Sequence, residues 1–443
     1  MIFGRHGTFT GGIDLPDLKQ AVVARRIVAA DRPPRLRVPL APCGGAPARM
    51  VLSAPAHVSA GQKIAQAADE SGVDVHAPLT GRIGEPTEAE VICARGAFIS
   101  PAIEITELGP VEPIVPTAPV FDWRTAGAEL LREKIAAGPL TTARPRMRRL
   151  ARWVEDARRC DCRFLIANVV EPQPHAAADH RLLAEHGTEV IRGLAMLSMA
   201  TGARETILAV DSRRTGSYRR LEVAARACGV STVALPPKYP VGNDTIIVKV
   251  LTRREVPIGG ESFDVGVAVT DAATCFAAYR WVACEAPPLG RVVTVSGGAA
   301  AQPGNYYVPF GTECGELAGQ ADGLLVHGGV MSGHMCSPAT VVTAATDAVL
   351  AIAREPAVAA APCIRCGWCT DHCPARLNVA ALNDIYELGR VERSERAGVL
   401  ACVECGVCTY VCPARILLSQ RVKQLKRVVF GLRERIPLFT TER

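Results

Sequence analysis

Short apolar runs punctuated by Pro and Gly fill residues 1 to about 115, as in RLRVPL (35–40) and ARMVLSA (48–54), and predict an all-β domain over 1–115. A proline-dotted linker follows at Pro110, Pro113, Pro116 and Pro119. From 123 to 288 the rhythm changes. Apolar runs of strand length (CRFLIANVV, ETILAVD, STVAL, FDVGVAVT) alternate with amphipathic stretches of helical period at 179–200, 218–229 and 271–285. That alternation predicts a parallel sheet covered on both faces, an α/β domain over 123–288. Residues 289–335 turn compact and β-rich again, and a helix is expected over 337–354. The last stretch, 355–436, has helical spacing at 378–400 and a basic amphipathic helix at 415–436, with Arg421, Lys423, Lys426, Arg427, Arg433 and Arg435. That helix suits an acidic carrier, an anionic membrane surface, or simply a solvated face over its own domain.

Composition narrows the classes. At 443 residues the chain exceeds one ordinary core. Its 50 basic and 44 acidic residues leave +6, too mild a balance for nucleic acid. No stretch reaches the ~18 uninterrupted apolar residues of a membrane span. The N-terminus lacks the apolar core of a signal peptide. The expected location is cytoplasmic, or peripheral on the cytosolic face of a membrane.

Chemistry concentrates in the cysteines. Eight of the 17 fall in CIRCGWCTDHCPA (363–375) and CVECGVCTYVCPA (402–414), each Cys-x-x-Cys-x-x-Cys-x-x-x-Cys-Pro. This is the ligand spacing of a bacterial [4Fe–4S] ferredoxin: three thiolates wrap one face of a cubane, and the fourth crosses to the other cluster. The rule assigns Cys363, Cys366, Cys369 and Cys412 to one cluster, and Cys402, Cys405, Cys408 and Cys373 to the other. Gly367 and Gly406 stand where a side chain would crowd the sulfides. A zinc site needs only four ligands, and disulfides do not suit a chain without a secretory signal. Arg365, Trp368 and His372, inside the first motif, are placed to tune a potential or face a partner, beside ordinary packing and surface roles. The other nine cysteines (43, 93, 160, 162, 228, 275, 284, 314 and 336) show no ligand spacing apart from the close pair Cys160 and Cys162. Buried free thiols are their ordinary state.

The segment from His57 to Ile83 resembles the two hairpin halves of a biotinyl/lipoyl-type barrel-sandwich. The tip, AADESGVD (67–74), carries no Lys for a swinging arm, so the domain reads as scaffold. In the α/β region ligands are expected beyond the carboxyl ends of strands. The first such turn, 168–179, is proline-rich, carries Glu171 and Asp179, and lacks the glycines that bring phosphate to backbone amides. Neither a G-x-G-x-x-G nor a Walker A sequence occurs there.

Taken in order, FTGGIDLPDLK (9–19), PLAPCGGAPA (39–48), GQKIAQ with VHAPLTGRI, YPVGNDTIIVKVLTRREVPIGG (239–260), RVVTVSGGAAAQPGNYYVPFGT (291–312), GGVMSG (328–333) and the paired cysteine motifs resemble the RnfC subunits of ion-translocating ferredoxin:NAD oxidoreductases. The resemblance implies a multidomain α/β plus β fold. Its parts are a barrel-sandwich-like domain at 1–115, a flavin-domain-like α/β domain at 123–288, a β-grasp (SLBB-like) module at 289–335, and a helical ferredoxin-type domain with two [4Fe–4S] clusters at 355–436. It also implies FMN in the α/β domain, reduced by NADH. Of the family's N-G-A-E-C-E-P turn the chain keeps Asn168 and Glu171 but has Gln173. Of the N-V-G-T-A helix start it keeps Thr274 but has Asp271. Where the family has GxGGAGFP, residues 136–150 keep only Gly138 and carry Arg144, Arg146, Arg148 and Arg149. Side chains on a loop that must touch a flavin ring are a steric veto on the usual binding mode, and a carboxylate near phosphate is repulsive. Those arginines could instead clamp a phosphate or form an exposed face.

The expected function is iron–sulfur electron transfer, relaying single electrons between redox partners. Those partners would be a ferredoxin- or flavodoxin-like carrier, or subunits of a complex at a membrane or in a microcompartment. The alternative is an FMN-dependent NADH dehydrogenase subunit of the RnfC or microcompartment cobalamin-reductase type. An assembly role around the clusters is the third reading.

Overall fold

The computed structural model describes residues 7–93, 96–143, 147–319, 323–354 and 358–435, with side chains to 431. The described residues form two compact units. One holds 16–237 and 266–354; the other holds 7–15, 238–265 and 358–435.

The first unit begins with the barrel-sandwich. Strands Leu36–Pro39, Gly96–Thr106, Gly81–Cys93 and Ala56–Val58 make a four-stranded antiparallel sheet, and Arg49–Met50, Lys63–Gln66 and Val75–His76 make a three-stranded one. Alternation along these strands sends Leu36, Val38, Ile64, Ile83, Ile103 and Ile105 into a shared core. At the hairpin, Lys63 lies 2.7 Å from Asp74.

The α/β domain follows. Its four strands are parallel in the order Val230–Leu235, Glu205–Asp211, Phe164–Val169, Val267–Thr270. Phe164–Val169 and Val267–Thr270 are buried throughout, as strands with helices on both faces must be. Helix Ala178–Thr201 packs on helix Ala272–Cys284 so closely that a Cβ on Gly193 would stand 1.8 Å from the Cys275 carbonyl oxygen.

The third part is a mixed six-stranded sheet in the order Ile27–Ala29, Gly304–Pro309, Gly290–Ser296, Ala348–Ala353, Gly323–His327, His334–Cys336. Here the structure departs from the sequence expectation. No helix forms over 337–354; its C-terminal half is the strand Ala348–Ala353, central in the sheet. Ala348, Val349, Leu350 and Ala351 are wholly buried, and an apolar run covered on both sides has no periodicity to separate strand from helix. The sheet that begins in 289–335 therefore runs past 335, and it takes an edge strand, Ile27–Ala29, from the N-terminal region.

The second unit is the C-terminal helical domain together with two segments that pattern assigns elsewhere. Residues 7–15 lie with it rather than with the barrel-sandwich, and 238–265, containing helix Asp244–Thr252, leaves the α/β domain to join it. The excursion fits the sheet order: after edge strand Val230–Leu235 the chain must reach the opposite edge before Val267–Thr270. Leu382, Val399, Leu400, Ile416, Leu418, Val422, Leu425 and Val429 form the unit's core, with six of the motif cysteines packed on it. In helix Leu418–Arg435, Arg421 reaches Asn383 and Glu387, each at 2.6 Å, so part of the basic face turns inward. The side chains of Arg433 and Arg435 lie outside the described residues.

Candidate cluster centre and the switch point of the sheet

The cysteine motifs fold as a repeat. Thirty-nine residues separate Cys363 from Cys402 and every matched pair after it. Left-handed backbone recurs at that offset: Arg365 (φ 59°) with Glu404 (56°), Gly367 (82°) with Gly406 (81°), Arg376 (56°) with Arg415 (56°). Hydrogen bonds recur too. Thr370 N donates to Gly367 O and Thr409 N to Gly406 O, while Arg376 N donates to Cys373 O and Arg415 N to Cys412 O. One-turn helices Trp368–Asp371 and Val407–Tyr410 start at the two glycines. Positive φ before and within each turn coils the backbone so that successive thiols share one side, which is why Gly recurs there.

Burial pushes Cys402 up to about 11 and Cys405 up to about 12, and Cys408 higher still, with Cys373 adding to the rise of all three. Cys363 and Cys366 add likewise to the rise of Cys369. Backbone amides reach sulfur at Leu377 N to Cys373 Sγ and Glu404 N to Cys402 Sγ, both 3.4 Å, the kind of contact that tunes a cluster. Among the described residues no three Cys, His or acidic side chains gather tightly enough for a single ion, whereas a cubane takes each thiolate on a separate iron. Closely set thiols, seven of the eight partly buried and Cys366 exposed, are a donor set that fits an iron–sulfur cluster.

Asn168, Glu171 and Thr274 come together at a different place. The strand order reverses between Phe164–Val169 and Val267–Thr270, and the crevice beyond their carboxyl ends is where such sheets bind ligands. Every polar group the sequence marks there has a partner inside the chain. Asn168 Oδ1 accepts from Val170 N at 3.2 Å. Glu171 accepts from Asp179 N (3.2 Å) and His180 N (2.8 Å), capping helix Ala178–Thr201. Asp271 caps helix Ala272–Cys284 through Thr274 N at 2.8 Å. The Thr274 hydroxyl donates to Asp271 and accepts from Ala143 N, each at 3.0 Å. Gln173 Oε1 accepts from Met331 N (3.1 Å) and its Nε2 donates to Ser332 Oγ (2.7 Å).

The arginine-rich loop closes as a hairpin, Thr142 N to Arg148 O at 2.9 Å and Leu150 N to Leu140 O at 2.8 Å. Arg148 faces Asp156 at 3.4 Å, and Arg149 donates to Ala136 O at 2.7 Å. Arg144 and Arg146 lie outside the described residues. Gly138 makes room for Trp281: a Cβ there would stand 2.4 Å from the indole nitrogen.

Residues that no motif singles out complete the crevice. Lys19, buried, donates to the Glu171 carbonyl, and burial lowers its pKa against the pull of Glu171, Asp17 and Asp211. His180, against the Tyr218 hydroxyl, is lowered by burial to about 4. The signal for Lys19 is its place at the end of FTGGIDLPDLK. A phosphate here would meet the buried carboxylate Asp271 at a helix start, where the family motif has a neutral amide and an anion site offers free amides. The residues do not fit FMN in its usual pose.

This combination defines a class: an iron–sulfur electron-transfer protein whose cluster domain accompanies a barrel-sandwich and a flavin-domain-like sheet. Residues 7–107 match the RnfC barrel sandwich hybrid domain, 145–280 the Nuo51 FMN-binding domain, and 356–426 the 4Fe-4S dicluster domain. A subunit of the ion-translocating oxidoreductase complex of Rhodobacter capsulatus is 29% identical over 401 residues, 88% of this chain and 77% of that one. Its namesake in the proton-translocating ferredoxin:NAD(+) oxidoreductase complex of Clostridium ljungdahlii is 28% identical over 405 residues, 87% of each. Among solved structures, a chain of an NAD+-reducing [NiFe]-hydrogenase in the H2-reduced state aligns at 14% identity and TM-score 0.46, covering 70% of this chain and 62% of that one. The chain is RnfC-like, an electron-transfer protein with a 4Fe-4S ferredoxin domain and a domain of the FMN-binding family. No helix among the described residues is long and apolar enough to cross a membrane.

Proposed function

We propose that the chain relays single electrons between protein partners through two [4Fe–4S] clusters, one held by Cys363, Cys366, Cys369 and Cys412, the other by Cys402, Cys405, Cys408 and Cys373, without hydride chemistry of its own. The observation that carries this reading is the doubled cysteine scaffold, with its left-handed turns repeated, beside a switch point where Glu171, Asp271 and Thr274 are engaged internally. When bound, the clusters supply one-electron chemistry. The protein positions them: the loops hold the thiolates, amides reach Cys373 and Cys402, and the leucine-rich core packs beneath. The relatives named as subunits of ion- or proton-translocating complexes support a place in a complex at the cytosolic face of a membrane, with a ferredoxin-like protein as one redox partner.

Anaerobic purification followed by iron and flavin analysis of one sample tests the reading. About eight irons per chain, no flavin and no bleaching by NADH are expected. One FMN per chain would instead support the second reading, an NADH dehydrogenase subunit, which the match of 145–280 to the FMN-binding domain favours.

A further inference from the structure

Because the two cysteine loops share one backbone, any difference between them lies in side chains and surroundings. The second loop is enclosed. Tyr239 Oη donates to Cys405 O at 2.6 Å, and Asn243 Nδ2 to Val403 O at 3.4 Å. Lys426 Nζ donates to Cys402 O at 2.7 Å and to Glu404 at 2.8 Å. The backbone at Cys373, the thiol assigned to the same cluster, is covered as well. Gly12 N donates to His372 O, and a Cβ on Gly11 would stand 2.7 to 2.8 Å from the His372 and Cys373 backbone.

The first loop is bare at the same positions. Trp368 is 53% exposed where its counterpart Val407 is 0%, Ile364 is 65% exposed, and Cys366 is exposed where Cys405 is partly buried. Residues 358–368 carry a single charge, Arg365, and Asp384 neutralises it at 2.7 Å. An exposed tryptophan and isoleucine around a ligand thiol, on a face of nearly balanced charge, make an apolar contact centre of the kind that anchors protein interfaces.

We infer that the cluster bound by Cys363, Cys366, Cys369 and Cys412 is the outer one, and that its loop, centred on Ile364, Cys366 and Trp368, is where a protein one-electron carrier docks. The inference rests on the cluster reading above. The occupant is a small iron–sulfur protein with its centre near an apolar surface. The apolar residues around the exposed Cys366 make this the face for close approach, and balanced charge here favours an apolar match over an acidic one. One electron passes between carrier and chain, one partner being oxidised and the other reduced by one equivalent, with no bond made or broken.

The full-length holoprotein tests this in two steps. Ferricyanide should release iron from the wild type in two phases of equal size. Cys366→Ala should remove the fast phase and Cys405→Ala the slow one. A single phase, or the reverse assignment, with wild-type iron intact, overturns the outer assignment; absence of iron in the wild type overturns the cluster reading instead. In the second step a reduced bacterial [4Fe–4S] ferredoxin is the probe. Ile364→Asp and Trp368→Ala should slow its electron transfer to the chain about tenfold, a rise of about 1.4 kcal/mol in barrier. Iron content and reduction by dithionite should stay unchanged. Leu388→Asp, at an exposed apolar position of the same unit outside both motifs, should leave the rate within about twofold. Equal slowing by Leu388→Asp, or none by the first-loop pair, overturns the docking face.

Discussion

The two regions marked as cofactor sites differ in what their own chain can satisfy. In the cysteine loops the left-handed turns and their hydrogen bonds repeat at a fixed offset, while the sulfurs stand close enough to oppose one another's ionisation. At the switch point the opposite holds. Glu171, Asp271, Thr274 and Gln173 each close on an amide or hydroxyl nearby. Thiolate clusters have no substitute for iron within a polypeptide. Helix-start amides are satisfied by any carboxylate that falls at the cap. A site built on side-chain ligands is therefore harder to fill internally than one built on backbone donors.

The largest effect that could break this contrast lies at the thiols. Cys366→Ala and Cys405→Ala should each lose about four of about eight irons, with lowered stability because ligation couples to folding. Unchanged iron counts in both variants would sink the assignment. In the sheet domain the most severe single change is Gly193→Ala. The new methyl would meet the Cys275 carbonyl oxygen at 1.8 Å, backbone against backbone, so neither helix can yield by turning a side chain. A loss of more than about 3 kcal/mol in urea unfolding is expected. A variant unfolding at the wild-type midpoint would mean that the two helices do not cross so closely.

Glu171→Ala sharpens the comparison. Two buried amides at the start of helix Ala178–Thr201 would lose their acceptor, for about 2 to 4 kcal/mol. Glu171→Gln, keeping one acceptor, should lose less. Asp271→Asn restores the amide of the family motif and still caps Thr274 N, so its stability should change by less than about 1 kcal/mol. Neither variant should copurify with flavin, since the loop at 136–150 is unchanged. Flavin absorbance in Asp271→Asn would show that the carboxylate alone bars the ligand.

Where the sequence is legible, the reason is physical. Cluster spacing is a local property, so the motifs announce both loops. Alternation reveals the parallel strands, because their burial is set by a period of two or by continuous apolar runs. Other features depend on partners far away in sequence. The strand Ala348–Ala353 reads as a helix because alanine-rich burial has no period. Segment 238–265 reads as part of the sheet domain because nothing local says that Tyr239 will meet the Cys405 carbonyl. The switch-point residues are legible but their engagement is not, because a cap made by Glu171 across eight residues looks in sequence like a ligand-binding acid. For Lys19 the motif FTGGIDLPDLK marks the position but not the contact, because its partner Glu171 lies 152 residues away.

The smallest effect concerns protons. His327, on strand Gly323–His327, is buried with Nε2 2.8 Å from Thr346 Oγ1, and burial lowers its pKa to about 4. Asp347 pulls the other way, while His334 and Arg291 add to the lowering. His180 is held at about 4 by burial, with Arg181, Arg214 and Lys19 on one side and Asp211 on the other. Both are neutral at pH 7 whether the chain is folded or not. As pH falls through 6.5 the unfolded chain takes up protons that the folded chain refuses until about 4, so stability is present above 6.5 and lost downward across that window. Each histidine can contribute a slope of at most about 1.4 kcal/mol per pH unit. Between pH 7 and 5 the urea midpoint, followed by fluorescence of Trp123, Trp153 and Trp281, should drop. His327→Gln, which keeps a partner for Thr346, should flatten that drop by roughly half, to about 2 kcal/mol at most. Visible absorbance of the clusters in the same samples separates the two regions, because these histidines belong to the unit without the cysteine motifs. If His327→Gln leaves the midpoint profile unchanged while the cluster absorbance bleaches, the acid sensitivity lies in iron ligation and the sheet domains carry none of it.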